Sequence, residues 1–183
     1  MKLFVSIENN EERNHIISLI NKINEIDLVD KIEDNTIVLT NGPLTELSNL
    51  LLKDYTLCNK IEKILLIGGS DSYGDVTPLA EKNIYADPSS AQHVFLSSIP
   101  IVMFGLNVTR DLNNRSLLAL AYLLKPELFK EEECGVFVET KAKKSLGMSV
   151  TDLYSDKQFD KHYVKMILEY DKESYNKLIN DIK

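Results

Sequence analysis

Short apolar runs alternate with amphipathic stretches along most of the chain. "KLFVSI" (2–7) is short, apolar and strand-like, and "NEERNHIISLINKINEI" then sets Ile16, Leu19, Ile20 and Ile23 on one helical face. "NTIVLT" is a second strand, closed by "NGP" at 41–43, and "LTELSNLLLKD" reads as a helix with Leu44, Leu47, Leu51 and Leu52 turned inward. "KILLIGG" is almost continuously apolar, the pattern of a strand covered on both faces in a parallel sheet. In "ADPSSAQHVFLSS", Asp87 is an N-cap and Pro88 takes the first helical position, where its missing N–H costs nothing. "IPIVMFGL" adds a buried strand and "RSLLALAYLL" a helix. After Pro126, "ECGVFVET" and "HYVKMILEY" read as strands and "DKESYNKLINDIK" as a final helix capped by Asp171.

The alternation from Thr36 to Leu124 predicts an α/β fold, a mostly parallel sheet flanked by helices. No repeat, low-complexity tract or linker interrupts residues 1–183, so one domain is expected. A single segment resists the pattern. "GGSDSYGDVTPLAEKNIYADPSSAQ" (68–92) follows a buried strand with no clear helical or strand period, and α/β proteins tend to keep their sites in such loops.

Composition narrows the partners. A hydrophobic fraction of 44% and a charged fraction of 27% are those of a globular protein. The net charge of −7, with no basic patch, argues against nucleic acid and anionic membrane. No apolar run approaches the ~20 residues of a membrane span. "MKLFVSIENNEERN" turns to charge too soon for a signal peptide, so a cytoplasmic protein is expected and the "NVT" sequon at Asn107 is read as chance. Cys58 and Cys134 lack metal or redox spacing and read as reduced core thiols.

Several chemistries are missing. The glycines at 68, 69 and 74 do not make GxGxxG, no GK[ST] follows, and there is no GxSxG elbow. His15, His93 and His162 stand apart, with His15 and His93 on helix faces. What remains is the loop, where Asp75, Thr77, Glu81, Asn83 and Asp87 gather around Pro78 beyond a strand end. Carboxylates and amides together suit a polyhydroxylated ligand, because each hydroxyl can donate to one and accept from the other. The alternative is a solvated loop held by local capping bonds.

"GPLTEL" (42–47), "KILLIGGSDSYGDVTPLAEKNIYADPSSAQHVFLSSIPIVMFGLNVT" (63–109) and "LALAYLLKPELF" (118–129) together resemble the nucleoside hydrolase family of inosine- and uridine-preferring N-ribohydrolases. "VETKAKKSLGMSVTDLY" and "DKESYNKLI" are similar to that family's C-terminal end. The resemblance implies hydrolysis of the bond between base and ribose, with a calcium ion holding the ribose hydroxyls and the attacking water. It implies that Glu81 and Asn83 bind ribose hydroxyls, that Asp75 stands at a ribose-binding Asn position, that Ile67 stands where a Met packs on the nucleoside, and that the Asn41 carbonyl lies where one reaches calcium.

The chain departs from that pattern in its metal and acid groups. The family's N-terminal D-x-D-x-x-x-D-D cluster has only "SIENNEER" as an analogue, with Ser6, Glu8, Glu12 and Arg13 in the four places. In a second alignment "HIISLINKINE" matches the helix before the "GPLTN" strand, and the aspartate strand is absent. The family's His-Asp pair is Arg115-Ser116 here, the Asn of "GPLTN" is Glu46 and the Asp of "LDVT" is Asn107. A shortened, degenerate member without a metal is therefore expected. Glu8, Glu12 and Asn41 are the candidate ligands if calcium is kept in an altered site.

Three readings stay open: a noncatalytic ribonucleoside or ribose binder, an N-glycosidase with an atypical metal site or one completed by a partner subunit, and an assembly module. A homo-oligomer or a paralogue partner is compatible with each.

Overall fold

A computed structural model describes residues 1–153 and 164–182. Eight strands are described: β1 (Lys2–Ile7), β2 (Asp27–Leu28), β3 (Thr36–Asn41), β4 (Ile61–Ile67), β5 (Ile101–Phe104), β6 (Phe129–Val138), β7 (Ser149–Asp152) and β8 (Val164–Tyr170). The helices are α1 (Asn10–Ile20), α2 (Thr45–Lys53), α3 (Lys82–Ala86), α4 (Pro88–Phe95), α5 (Leu106–Thr109), α6 (Ser116–Leu124) and α7 (Lys172–Ile182). The strands form one sheet in the order β2-β1-β3-β4-β5-β8-β6-β7. The pairings from β2 through β8 are parallel, whereas β6 runs antiparallel to both β8 and β7. The fold is a mostly parallel α/β sheet flanked by helices.

The period of two along each strand sorts the core into two layers. Ile37, Leu39, Leu65, Ile67, Val102 and Phe104 face one way, toward α1, α6 and α7. Val38, Ile64, Leu66, Ile101 and Met103 face the other way, toward α2 and α4. Because residues 37–39, 64–67 and 101–104 of β3, β4 and β5 are buried on both faces, they read in the sequence as short continuous apolar runs. Register aligns their carboxyl ends: Ile7 pairs with Asn41, Asn41 with Ile67, and Ile67 with Phe104. Everything that follows those four residues therefore emerges along one edge of the sheet.

Several expectations need correction. Leu52 points outward and is 68% exposed, because the inner face of α2 is Leu47, Ser48 and Leu51, with Leu44 buried just ahead of the helix. Ser48 takes the inner place by hydrogen bonding to His93 Nδ1 at 2.9 Å across the α2–α4 interface. The segment 68–92 holds, besides the helix start expected at Pro88, the short helix α3. β6 begins four residues before "ECGVFVET", its charged half "FKEEE" escaping a hydrophobic pattern while pairing with β8. β2, β7 and α5, each four residues or fewer, carry too little pattern to be seen. Asp87 and Asp171 cap their helices as expected, accepting from the N–H groups of Ser90 and of Glu173 and Ser174 respectively. Cys58 and Cys134 form no disulfide among the described residues. His162 and Tyr154 lie outside the described residues. Among the described residues no helix is long and apolar enough to cross a membrane.

Candidate functional site

The site is built where β4 ends. Gly69, at φ +76°, turns the chain left-handed and delivers its N–H to Glu81 Oε2 at 3.1 Å. Ser70 is pinned from the start of β7, its N–H donating to Ser149 Oγ at 2.8 Å while that hydroxyl donates back to the Ser70 carbonyl at 3.0 Å. The chain then folds into a tight turn: Gly74 N–H donates to the Pro78 carbonyl at 3.0 Å, and Thr77 Oγ accepts from Leu79 and Ala80. Thr77 thus has a local turn role. Asp87, besides capping α4, accepts from Thr45 Oγ at 2.6 Å, which ties α4 to the start of α2.

Asp75 and Glu81 each divide their two oxygens between two tasks. Asp75 Oδ1 accepts from Lys82 N–H at 2.8 Å, and Glu81 Oε2 accepts from Asn83 and Ile84 N–H at 2.9 and 3.2 Å, so both carboxylates hold the start of α3. Their second oxygens converge on one cation. Arg115 Nη2 lies 3.6 Å from Asp75 Oδ2, and Arg115 Nη1 lies 3.8 Å from Glu81 Oε1. Glu81 is 1% exposed, and its Oε1 has no hydrogen-bond donor among the described residues. Burial pushes its carboxyl above the ordinary range; the N–H groups of Asn83, Gly69 and Ile84 act in the opposite direction, and the charge of Asp75 adds to the rise.

Asn83 links this pair to the strand ends. Its Nδ2 donates to the Ile67 carbonyl at 2.9 Å and to Asn41 Oδ1 at 3.1 Å. Asn41 Nδ2 in turn donates to Glu12 Oε1 and Ser116 Oγ, both at 3.1 Å. Glu12 Oε1 also accepts Ser116 N–H at 2.8 Å, and the Asn41 carbonyl accepts Glu8 N–H at 3.0 Å.

These groups line a cleft of about 230 Å³ at the carboxyl edge of the sheet, with Glu8, Glu12, Asn41, Asp75, Asn83 and Arg115 in its wall. A larger hollow of about 660 Å³ opens beside β1, over Phe4, Arg13, Leu28 and Glu46, and shares Glu8. The smaller cleft is the candidate site because its polar side chains converge. Of the residues picked out in the sequence, Asp75, Asn83, Glu8, Glu12 and Asn41 meet there, and Glu81 stands directly behind. Ile67 differs: its side chain is fully buried in the core layer under α6, and only its carbonyl reaches the network. The period of two explains this, since Ile67 continues the inward row of Leu65.

Calcium needs several oxygen ligands free of competing donors. Here one oxygen of Asp75, of Glu81 and of Glu12 is held by N–H groups, the Asn41 carbonyl is engaged by Glu8, and a guanidinium faces the other oxygens of Asp75 and Glu81. Among the described residues no three His, Cys, Asp or Glu side chains are grouped to hold a metal ion. The residues present do not fit the ion. Sequence reasoning had marked Arg115 only as a replaced position. Its pairing with two carboxylates 40 and 34 positions away depends on how the Thr109–Ser116 segment folds over the edge, which no local pattern reveals.

A family model described as inosine-uridine preferring nucleoside hydrolase matches residues 4–117. The pyrimidine-specific ribonucleoside hydrolase RihA of Photobacterium profundum is 36% identical over 182 residues, covering 76% of this chain and 57% of that protein. RihA of Shewanella oneidensis is 36% identical over 159 residues, covering 64% and 50%. The chain spans about half the length of the curated relatives it matches. Among solved structures, the plant nucleoside hydrolase PpNRh1 superposes with a TM-score of 0.70 at 21% identity, covering 90% of this chain and 65% of that one. The purine-preferring ribonucleoside hydrolase of Gardnerella vaginalis does so with a TM-score of 0.67 at 21% identity, covering 96% and 64%. Both share the fold. With a model spanning most of the chain and a relative above 30% identity over three quarters of it, the chain belongs to the inosine-uridine preferring nucleoside hydrolase family.

Proposed function

We propose that this chain binds a ribonucleoside by its ribose in the cleft between Asn41, Asp75, Asn83 and Arg115, and that it does not by itself cleave the N-glycosidic bond. The observation that carries the reading is the guanidinium of Arg115 set between Asp75 Oδ2 and Glu81 Oε1. Sugar hydroxyls can donate to the carboxylate and Asn oxygens and accept from the Arg115 N–H groups, so the cleft offers donors and acceptors for a diol.

Hydrolysis asks for more. It needs an activated water and negative charge placed against a developing oxocarbenium ion. Arg115 neutralises the two carboxylates best placed to supply that charge, and Glu12 is tied to Ser116 and Asn41. Size sets the recognition: at about 230 Å³ the cleft is smaller than the roughly 300–1,000 Å³ of ordinary small-molecule pockets, so it would enclose the sugar and leave the base outside. Discrimination between bases should then be weak.

Saturation-transfer NMR with uridine and inosine in chelated buffer tests this. Stronger transfer to ribose than to base protons is expected, with no free ribose accumulating. Release of ribose in proportion to protein, abolished by Glu81→Gln, would make the chain a working hydrolase instead.

A further inference from the structure

We infer that Arg115 is a resident cation, occupying the centre of the acidic cleft in the role a divalent ion would otherwise fill. Two independent observations meet at this side chain. First, its guanidinium spans the second oxygens of Asp75 and Glu81 at 3.6 and 3.8 Å. Second, Glu81 Oε1 is buried, in a residue only 1% exposed, and has no hydrogen-bond donor among the described residues. A buried carboxylate oxygen without a donor is costly unless a positive charge lies close, and Arg115 is the cation next to it.

The distances also matter. At 3.6 and 3.8 Å the pairs are charge contacts rather than hydrogen bonds, so they do not use up the N–H donors of the guanidinium, and Arg115 lines the cleft. An Arg held this way does two of the things a metal does, balancing carboxylate charge and presenting electropositive groups to ligand oxygens. It cannot do the third, because a guanidinium carries no water ligand whose pKa it could lower. The position of Arg115 explains its reach: it is the residue before α6, in helical conformation and without a side-chain capping bond, so its side chain is free to cross to the 74–81 loop.

The inference concerns the cation and not the ligand, so it is read without any nucleoside and can fail or succeed apart from the ribonucleoside reading. Thermal unfolding and calorimetry with calcium chloride are run on the wild type, Arg115→Met and Arg115→Lys. The wild type and Arg115→Lys should show no calcium heat and an unchanged Tm with calcium or chelator. Arg115→Met, whose carboxylates lose their counter-charge, should have a lower Tm in chelator and regain a few degrees with calcium. Stoichiometric calcium binding by the wild type would overturn the inference, as would an Arg115→Met variant indifferent to calcium. If Arg115→Met does not fold, Arg115→Met combined with Glu81→Gln decides. Recovery of the fold shows that the uncompensated carboxylate was at fault, and continued failure contradicts the role given to Arg115.

Discussion

Glu12 Oε1 accepts the backbone N–H of Ser116 at 2.8 Å, so the first turn of α1 caps the first turn of α6 across 104 positions of chain. Asn114 Oδ1 accepts the Leu117 N–H at 3.2 Å, but Arg115, the residue directly before α6, is helical and makes no capping bond, which leaves the Ser116 N–H to Glu12. A carboxylate there satisfies one of the orphan N–H groups and lies favourably at the positive end of the helix. Glu12, a metal-ligand candidate in sequence, has a structural task.

Its removal should therefore be felt in stability. Glu12→Ala is expected to cost about 1–2 kcal/mol, the range of a lost N-cap, and Glu12→Gln less because its amide oxygen can still accept. Urea unfolding of the two variants checks the order. Equal losses would show that the charge alone matters.

Glu81 predicts a pH dependence. Burial, its first cause, raises the folded-state pKa above the ordinary 4.5, so folding favours the protonated form. That contribution is complete below about 4.5 and is lost as pH rises through the folded value. Asp87 acts in the opposite direction: burial would raise its pKa, but hydrogen bonds from Thr45 and Ser90 outweigh this and hold it below 3.8, so its contribution fades only in stronger acid. From pH 4.5 to neutrality the wild type should lose stability relative to Glu81→Gln, read as diverging urea midpoints. Parallel midpoints would contradict the assignment.

Gly74 makes the 74–80 turn possible. A Cβ there would sit 2.2 Å from the Thr77 carbonyl oxygen and 2.3 Å from Ala80 N, both backbone atoms that cannot yield separately. Gly74→Ala should open the turn, displace Asp75 from Lys82 N–H and weaken ligand binding at least about tenfold, within the ~1–3 kcal/mol of a lost buried hydrogen bond. Circular dichroism should show the sheet and helices intact. Unchanged affinity would mean that the turn does not position Asp75.

Much of this was legible in sequence, and the reasons are physical. β3, β4 and β5 are covered on both faces, so their apolar runs could not be misread, and Asp87-Pro88 marks a helix start by backbone chemistry alone. Of the polar groups in the loop, Asp75 and Asn83 line a cleft at the strand ends, where parallel α/β sheets open their crevices, whereas Thr77 and Asp87 make local turn and cap bonds. Contacts made at long range were invisible: Arg115 with Asp75 and Glu81, Glu12 with Ser116, Ser70 with Ser149. The exposure of Leu52 and the burial of the Ile67 side chain have a simpler reason, since a motif or period names a position while the neighbouring packing decides which way the side chain faces.

Asn83 offers a control for the ligand. Asn83→Asp keeps the shape but cannot donate to Asn41 Oδ1 or to the Ile67 carbonyl, so it should lower the urea midpoint and abolish nucleoside binding together. Loss of stability with full binding would place the ligand elsewhere.

The most direct test is calorimetric titration of ribose and uridine into the protein in chelated buffer, repeated after calcium is added. Saturable heats of similar size for both ligands, unchanged by calcium, are the predicted result. Heat that emerges only with calcium would contradict a cleft that binds ribose through its own side chains and the cation of Arg115.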